Sequence, residues 1–322
     1  MEETAKKIAP GTENSASGED KKNSGMLQNK RKRLLFYCIF MIFPVAQFVF
    51  FYVYVNLSNI LLAFQTFTET PNGYVGSFVW FDNFKFIIEM LGRENNVSMI
   101  TNSLILYALK LFVVMVLAIL FSYYIYKNFL FSKFFKVMLF LPRVISSVVM
   151  VLLFKYIVED VYTAISGATY GLLTTDALTT VLFYNIWVGF GTDILMYSGA
   201  MSGINESISE SAQLDGANIV KEFWYITLPM IFPTIITFLV VGISTIFTEQ
   251  MGLYTFFDEG APMKTVGYYL FVQAKISDLV APDINTLSYS QISAFGLMIT
   301  AVILPTSLTV KHLLEKYGPS AD

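Results

Sequence analysis

One segment of this 322-residue sequence concentrates groups that donate and accept hydrogen bonds: Glu210-Ser211-Ala212-Gln213-Leu214-Asp215-Gly216-Ala217. It lies between two long apolar runs and continues through Phe223, Ile226, Leu228 and Pro229. Ser207 and Glu210 have the S-x-x-E spacing of a capping box, so a helix is expected to start near Ser207. Gly216 can take a left-handed backbone and end that helix about two turns later. A second short helix is expected from Asn218 to Tyr225, with Pro229 in the first turn of the helix that follows. Two short helices with a fixed break suit docking at a membrane surface. The plainer alternative is an ordinary loop in which Glu210 is only a cap.

Covalent chemistry has little support. There is no G-x-x-x-x-G-K-[ST] phosphate loop, so this chain does not hydrolyse ATP by that machinery. Gly189-Phe190-Gly191 lacks the third glycine of a dinucleotide fold. The lone His312 cannot build a metal site, which needs several donors, and is read as an interfacial residue at a helix end. No Ser-His-Asp spacing stands out, and a membrane-embedded enzyme would need such a convergent site. Four charged residues fall inside apolar runs: Lys110, Arg143, Asp193 and Glu249. A charge at mid-membrane costs at least ~2.5–3.5 kcal/mol, so such residues line cavities or find partners. Lys110 and Arg143 are read as snorkelling to the interface. Asp193 and Glu249 are read as cavity-lining groups or members of a structural pair.

These residues must be positioned by membrane helices. The chain is 55% hydrophobic and 14% charged, with mean hydropathy +0.59; soluble domains carry about 25% charged residues. Leu34 to Val55 is a run of 22 residues without a charge, long enough for the ~30 Å hydrocarbon core. Further spans are expected at Ser103 to Tyr126, Phe134 to Val158, Thr179 to Met201, Ile231 to Met251 and Ser290 to His312. Residues 1–33 are polar, end in Lys30-Arg31-Lys32-Arg33, and have a disordered composition. The single cysteine, Cys38, excludes an intrachain disulfide and is expected to be buried. With both termini in the cytoplasm, fourteen Lys and Arg lie inside and five outside, in accord with the positive-inside rule. That arrangement puts the Glu210 segment in the cytoplasm. The expected architecture is an all-α integral membrane protein: a tail over 1–33, a six-helix domain over 34–322, and a cytoplasmic loop over about 204–230 within it.

The Glu210 segment resembles the E-A-A-x-x-D-G-A motif of membrane subunits of binding-protein-dependent ABC importers. Glu210, Ala212, Asp215, Gly216, Ala217, Phe223, Ile226, Leu228 and Pro229 match; Ser211 stands where Ala is usual. Asp82-Asn83-Phe84 resembles a D-N-F patch of sugar-type permeases. Asn102-Ser103-Leu104 and Leu141-Pro142 with Ser146 to Val149 resemble motifs of their second and third spans. Asn185-Ile186-Trp187-Val188-Gly189 resembles the N-x-W-x-G of maltose-type permeases. The likeness extends over most of residues 34–312.

The resemblance implies a type I importer permease fold in a bacterial plasma (inner) membrane. It implies that Glu210, Ser211, Ala212, Asp215, Gly216 and Ala217 form a coupling helix for a cytoplasmic ATPase. Asn185, Trp187, Gly189, Thr245, Thr248 and Glu249 are then candidates for the substrate pathway. For the Asn185 stretch the alternative is helix packing. Implied partners are a second permease, an ATPase dimer that binds ATP and Mg, a solute-binding protein and the bilayer. No cofactor is expected in this chain, and nothing points to nucleic acid. The implied cargo is a sugar or oligosaccharide, with polyol and glycerol phosphate also compatible. Tyr268, Tyr269 and Phe271 would contact the binding protein or form an interfacial belt. A gradient-driven secondary transporter using Asp193 and Glu249 is the competing reading.

Overall fold

A computed structural model describes residues 16–281 and 286–319, with side chains left undescribed at 16–29, 31, 94 and 95. Lipid offers no partner for backbone N–H and C=O groups, so spanning segments must satisfy them internally. Helices accordingly dominate. The chain divides into two units, residues 1–61 and 62–322.

The first unit is α1, residues 16–62, whose end runs into the second unit; a π-helical turn interrupts it at Val49–Tyr54. Its Lys32–Leu62 portion is long and apolar enough to cross a membrane. The helix begins inside the tail whose composition predicts disorder; residues 1–15 lie outside the described residues. Cys38, expected to be buried, is exposed.

The second unit opens with a hairpin that an all-helical reading does not anticipate. Strands β1 (Gln65–Thr70) and β2 (Gly73–Phe78) pair antiparallel, with Thr70 opposite Gly73. Pro71 and Asn72 make the turn, and Gly73 takes φ +115. The hairpin is held by the D-N-F patch. Helix α2 (Asp82–Leu91) buries Asn83, whose amide donates to the carbonyls of Ala63 at 2.9 Å and Gln65 at 2.8 Å. Phe84 packs on Phe64 with ring centroids 5.2 Å apart.

Helix α3 covers residues 94–126 with a π-helical turn at Lys110–Met115. The Asn-Ser-Leu motif anchors its start. The Asn102 amide donates to the carbonyl of Lys264 at 3.0 Å, and the buried Ser103 hydroxyl accepts from the backbone N–H of Val266 at 3.0 Å. The expected third span is two helices, α4 (Ser132–Val144) and α5 (Ser147–Ser166), bent by 101°. The cause is local. Pro142 cannot donate to the preceding turn, and Ile145 leaves the helix for extended backbone, ψ 143.

Helix α6 (Ala177–Ser202) is capped by Asp176, which accepts from the N–H of Thr179. Then come α7 (Glu206–Leu214) and α8 (Ile219–Thr245). The fifth span was expected at Ile231–Met251; its helix starts twelve residues earlier and ends at Thr245. Pro229 lies, as expected, in the first turn of the α-helical stretch Leu228–Thr245 that forms the main part of α8. A π-helical turn at Phe223–Thr227 lies just before it, where its missing N–H removes one rung. After α8 the chain turns through Met251 (φ 56) and Gly252 (φ 73) into α9 (Leu253–Phe257). Helices α10 (Val266–Ile276) and α11 (Tyr289–Tyr317) follow. A complete capping box between Ser288 and Gln291 starts α11. Among the described residues five helices are long and apolar enough to span a membrane, or six where the bent pair counts as one span.

One core ties α3 and α6 to α8, and another ties them to α5, α9 and α10. One gathers Ala118, Tyr123, Ile194, Tyr197, Met201, Phe223 and Ile231. The other gathers Leu106, Val151, Phe154, Tyr184, Leu253, Phe256 and Tyr268. Helices α4 and α6 meet backbone to backbone. A Cβ on Gly191 would lie 2.1 Å from the carbonyl oxygen of Leu139, so only glycine permits that approach.

Candidate coupling helix and central cavities

Two features stand out: a polar helix between α6 and α8, and a pair of adjoining cavities among α3, α4, α6 and the end of α8. The polar helix is α7. Its cap lies two residues earlier than the capping-box spacing predicts. Asn205 is the cap, accepting from the N–H of Ser207 at 3.1 Å. Glu210 therefore caps nothing. It is exposed and makes no hydrogen bond or ion pair among the described residues.

The end of α7 follows the expectation. Gly216 takes φ +80. Its N–H donates to Gln213 at 3.0 Å, and the N–H of Ala217 donates to Ala212 at 2.9 Å. This double closure is a Schellman ending, which requires the left-handed backbone glycine adopts at little cost. Asn218 then caps α8, accepting from the N–H of Lys221 at 2.8 Å. The expected second helix is the beginning of α8 and does not stop near Tyr225.

One face of this segment is open. Glu210, Ser211, Asp215 and Gly216 are exposed, while Ala212 and Ala217 are half-buried. Apolar side chains join them: Leu214 is 89% exposed, Tyr225 80% and Trp224 58%. An apolar patch rimmed by polar groups marks an interaction surface.

The opposite face is tied to the bundle by a cluster the sequence reading did not identify. Lys127, at the end of α3, pairs with Glu222 near the start of α8. Ser209 of α7 donates to Glu222 at 2.6 Å and accepts from Lys127 at 2.9 Å. Ser209 is 6% exposed and the Glu222 side chain 3%. The Tyr123 hydroxyl adds a bond to the carbonyl of Ile219 at 3.0 Å. One serine thus links α7 to both α3 and α8. The available signal was Glu222 itself, an acid at the edge of an apolar run.

The cavities measure about 230 and 330 Å³. Both are lined by Lys110, Arg143, Gly189 and Glu249. Lys110 and Arg143 thus border these cavities, whereas the snorkelling reading places their head groups at the interface. Lys110 pairs with Glu249 at 3.7 Å, each side chain retaining more than 40% exposure. Asp193 and Thr245 line only the second cavity, Asn185 and Gln250 only the first.

The candidate pathway residues therefore separate. Gly189 has no neighbour within 4 Å of an added Cβ and leaves space in both cavities; Gly191 is the packing contact described above. Asn185 reaches the first cavity, but its amide is engaged with the carbonyls of Val181 at 2.9 Å and Met251 at 3.1 Å, fixing the turn after α8. Trp187 lines neither cavity; it packs against the Phe154 core with ring centroids 6.3 Å apart. Thr248 also lines neither. Tyr268 is core, not contact surface. It is 1% exposed, donates to Asp258 at 2.6 Å and accepts from Ala261, and burial pushes its phenol above the usual range. Tyr269 is half-buried and Phe271 exposed.

A polytopic helical bundle with a polar central cavity and an open docking helix is the architecture of a membrane transport subunit. The sequence profile of the family described as binding-protein-dependent transport system inner membrane component matches residues 114–318. The chain belongs to this family. It is a multi-pass permease of the bacterial inner membrane, and membership decides against a gradient-driven secondary transporter. The chain is 26% identical to the polygalacturonan/rhamnogalacturonan transport system permease protein YteP of Bacillus subtilis, over 90% of this chain and 93% of that one. It is 25% identical to the arabinooligosaccharides transport system permease protein AraP of Halalkalibacterium halodurans, over 84% of each. Its fold is similar to a crystal structure of a bacterial ABC transporter involved in the import of the acidic polysaccharide alginate. There the TM-score is 0.69 at 22% identity, covering 91% of this chain and 99% of that one. A second structure, of a bacterial alginate ABC transporter in complex with alginate pentasaccharide-bound periplasmic protein, gives 0.68 over 91% and 98%.

Proposed function

We propose that this permease is one of two membrane subunits of an ATP-driven importer that takes a saccharide from an extracytoplasmic binding protein. The observation that carries the coupling role is α7: capped by Asn205, stopped by Gly216, pinned by Ser209, and open along Glu210, Asp215 and Leu214. A free acid and an exposed leucine on a rigid short helix suit a groove in a cytoplasmic ATPase. The ATPase subunits supply the ATP and Mg sites, since this sequence has no phosphate loop. Closure of the ATPase dimer draws the docked helices of the two permeases together. The Lys127–Glu222–Ser209 cluster passes that movement to α3 and α8. The bundle opens outward, receives the cargo, and ATP hydrolysis resets it.

The saccharide assignment is supported by the relatives, whose names refer to oligosaccharides and polysaccharides. The cavity chemistry agrees with it. Gln250 and Thr192 each present a buried side-chain oxygen with no partner, and each residue lines one of the cavities. Hydroxyl donors of a sugar would satisfy them. The test is uptake by proteoliposomes holding this chain, its second permease and the ATPase. Saccharide should enter only with ATP and binding protein present. Uptake that persists without ATP and collapses with an uncoupler would overturn the proposal.

A further inference from the structure

Arg143 is a cavity residue whose charge has no partner among the described residues. It sits two residues before the 101° break between α4 and α5 and lines both cavities. Its guanidinium makes no hydrogen bond or ion pair among the described residues. The end of α4 favours a cation through the helix dipole. The residue is exposed, so its five N–H donors are open to solvent or to a ligand in the cavity.

In the first cavity the other charges do not cancel it. Lys110 and Glu249 are paired with each other at 3.7 Å. Asp193 lines the second cavity only. The charged lining of the first cavity is therefore Lys110, Arg143 and Glu249, one positive charge in excess. Beside it the buried Gln250 oxygen lacks a donor. A ligand that fits must bring an anionic acceptor for Arg143 and a hydroxyl for Gln250.

We infer that the first cavity binds a saccharide bearing a carboxylate, with Arg143 holding the carboxylate and Gln250 accepting from a neighbouring hydroxyl. A planar guanidinium meets a carboxylate through two parallel bonds, a geometry a neutral sugar cannot offer. Asp193 repels the carboxylate from the second cavity and leaves that space for neutral parts of the chain. The relatives' names include both acidic and neutral saccharides, so the preference rests on the cavity. The inference builds on the saccharide-importer proposal and adds the charge of the cargo.

The experiment uses the intact complex of this chain, its second permease and the ATPase in lipid nanodiscs, without binding protein. Binding of tri-galacturonic acid and of neutral galactotriose is measured by calorimetry at low and high salt. The acidic trisaccharide should bind at least about tenfold more tightly at low salt, with the preference shrinking as salt rises. Arg143→Gln should remove the preference, weakening tri-galacturonic acid binding at least about tenfold more than galactotriose binding, while Arg143→Lys should keep part of it. Equal binding of the two trisaccharides, no binding of either, or an undiminished preference in Arg143→Gln would overturn the inference. If Arg143→Gln does not assemble, the wild-type preference and its salt dependence decide alone. ATP-driven import of saccharide with no preference for the acid would sink this inference and leave the importer proposal standing. Absence of any ATP-dependent saccharide import would sink the importer proposal itself.

Discussion

Replacing Lys127 with Met should detach α7 from the bundle without unfolding the permease. Glu222 is 3% exposed, so removing its cation leaves a nearly dry carboxylate held only by the neutral side chains of Ser209 and Gln213. Breaking a buried pair in this way costs about 3–5 kcal/mol. The lower end applies because Lys127 keeps 15% exposure and the pair sits at the edge of the bundle. About 3 kcal/mol is roughly a hundredfold in the equilibrium between packed and loosened α7. Glu222→Leu should cost less, because the remaining ammonium still bonds Ser209 and can reach water. The double variant Lys127→Met with Glu222→Leu should recover most of the loss, since an apolar pair leaves no orphan charge. The assay is amide hydrogen exchange over residues 206–217, run beside saccharide uptake and ATP hydrolysis in the reconstituted complex. Lys127→Met should lose protection in that segment and transport far less saccharide per ATP. Wild-type exchange and uptake in Lys127→Met, or a double variant worse than either single one, would refute the assignment of this cluster as the link.

Substitutions at three further positions probe separate parts of the fold. Gly216→Pro cannot adopt φ +80 and should abolish uptake while membrane fractionation shows normal insertion; Gly216→Ala, at a cost of about 1–2 kcal/mol, should reduce uptake only partly. Gly191→Leu forces α4 from α6, since even a Cβ meets the Leu139 carbonyl at 2.1 Å. The purified complex should melt at a lower temperature, by the equivalent of ~1–3 kcal/mol or more, and an unchanged melt would contradict that contact. Asn83→Leu strips two carbonyls, those of Ala63 and Gln65, of their donor. At about 1–3 kcal/mol for each unsatisfied group, limited proteolysis should cut the hairpin of the variant sooner than that of the native chain.

Much of this organisation is legible in the sequence because the membrane imposes a one-dimensional rule. Apolar runs of sufficient length become helices, and the spans ending at Tyr126, Met201 and His312 lie close to the observed ones. Gly216 was legible because one backbone conformation was needed and one residue supplies it. What was lost depends on contacts distant in sequence. Lys110 and Glu249 lie 139 positions apart, so hydropathy alone gives no reason to prefer their pairing over snorkelling. Lys127, Ser209 and Glu222 come from three helices, and each looks ordinary in its own segment. The Asn-x-Trp-x-Gly stretch suggested a sugar platform, yet Trp187 packs into the core and Asn185 holds a turn. The break at Ile145 was signalled by Pro142, but a proline in a span can equally leave a helix merely kinked. The hairpin at residues 65–78 carries a sequence signal, alternating Thr, Phe, Tyr and Val about Pro71-Asn72-Gly73, that hydropathy over a helix-length window does not register.

The most direct test of the account asks whether the open face of α7 holds an ATPase. The chain should be tagged, purified gently from its native membranes, and its companions identified by mass spectrometry. A second six-span permease and an ATPase with a phosphate-binding loop should come with it. Leu214→Asp, placed on the 89% exposed side chain of that face, should lose the ATPase and keep the second permease. A chain recovered alone where a control importer stays intact, or a Leu214→Asp variant that retains the ATPase in full, would contradict the coupling role of α7.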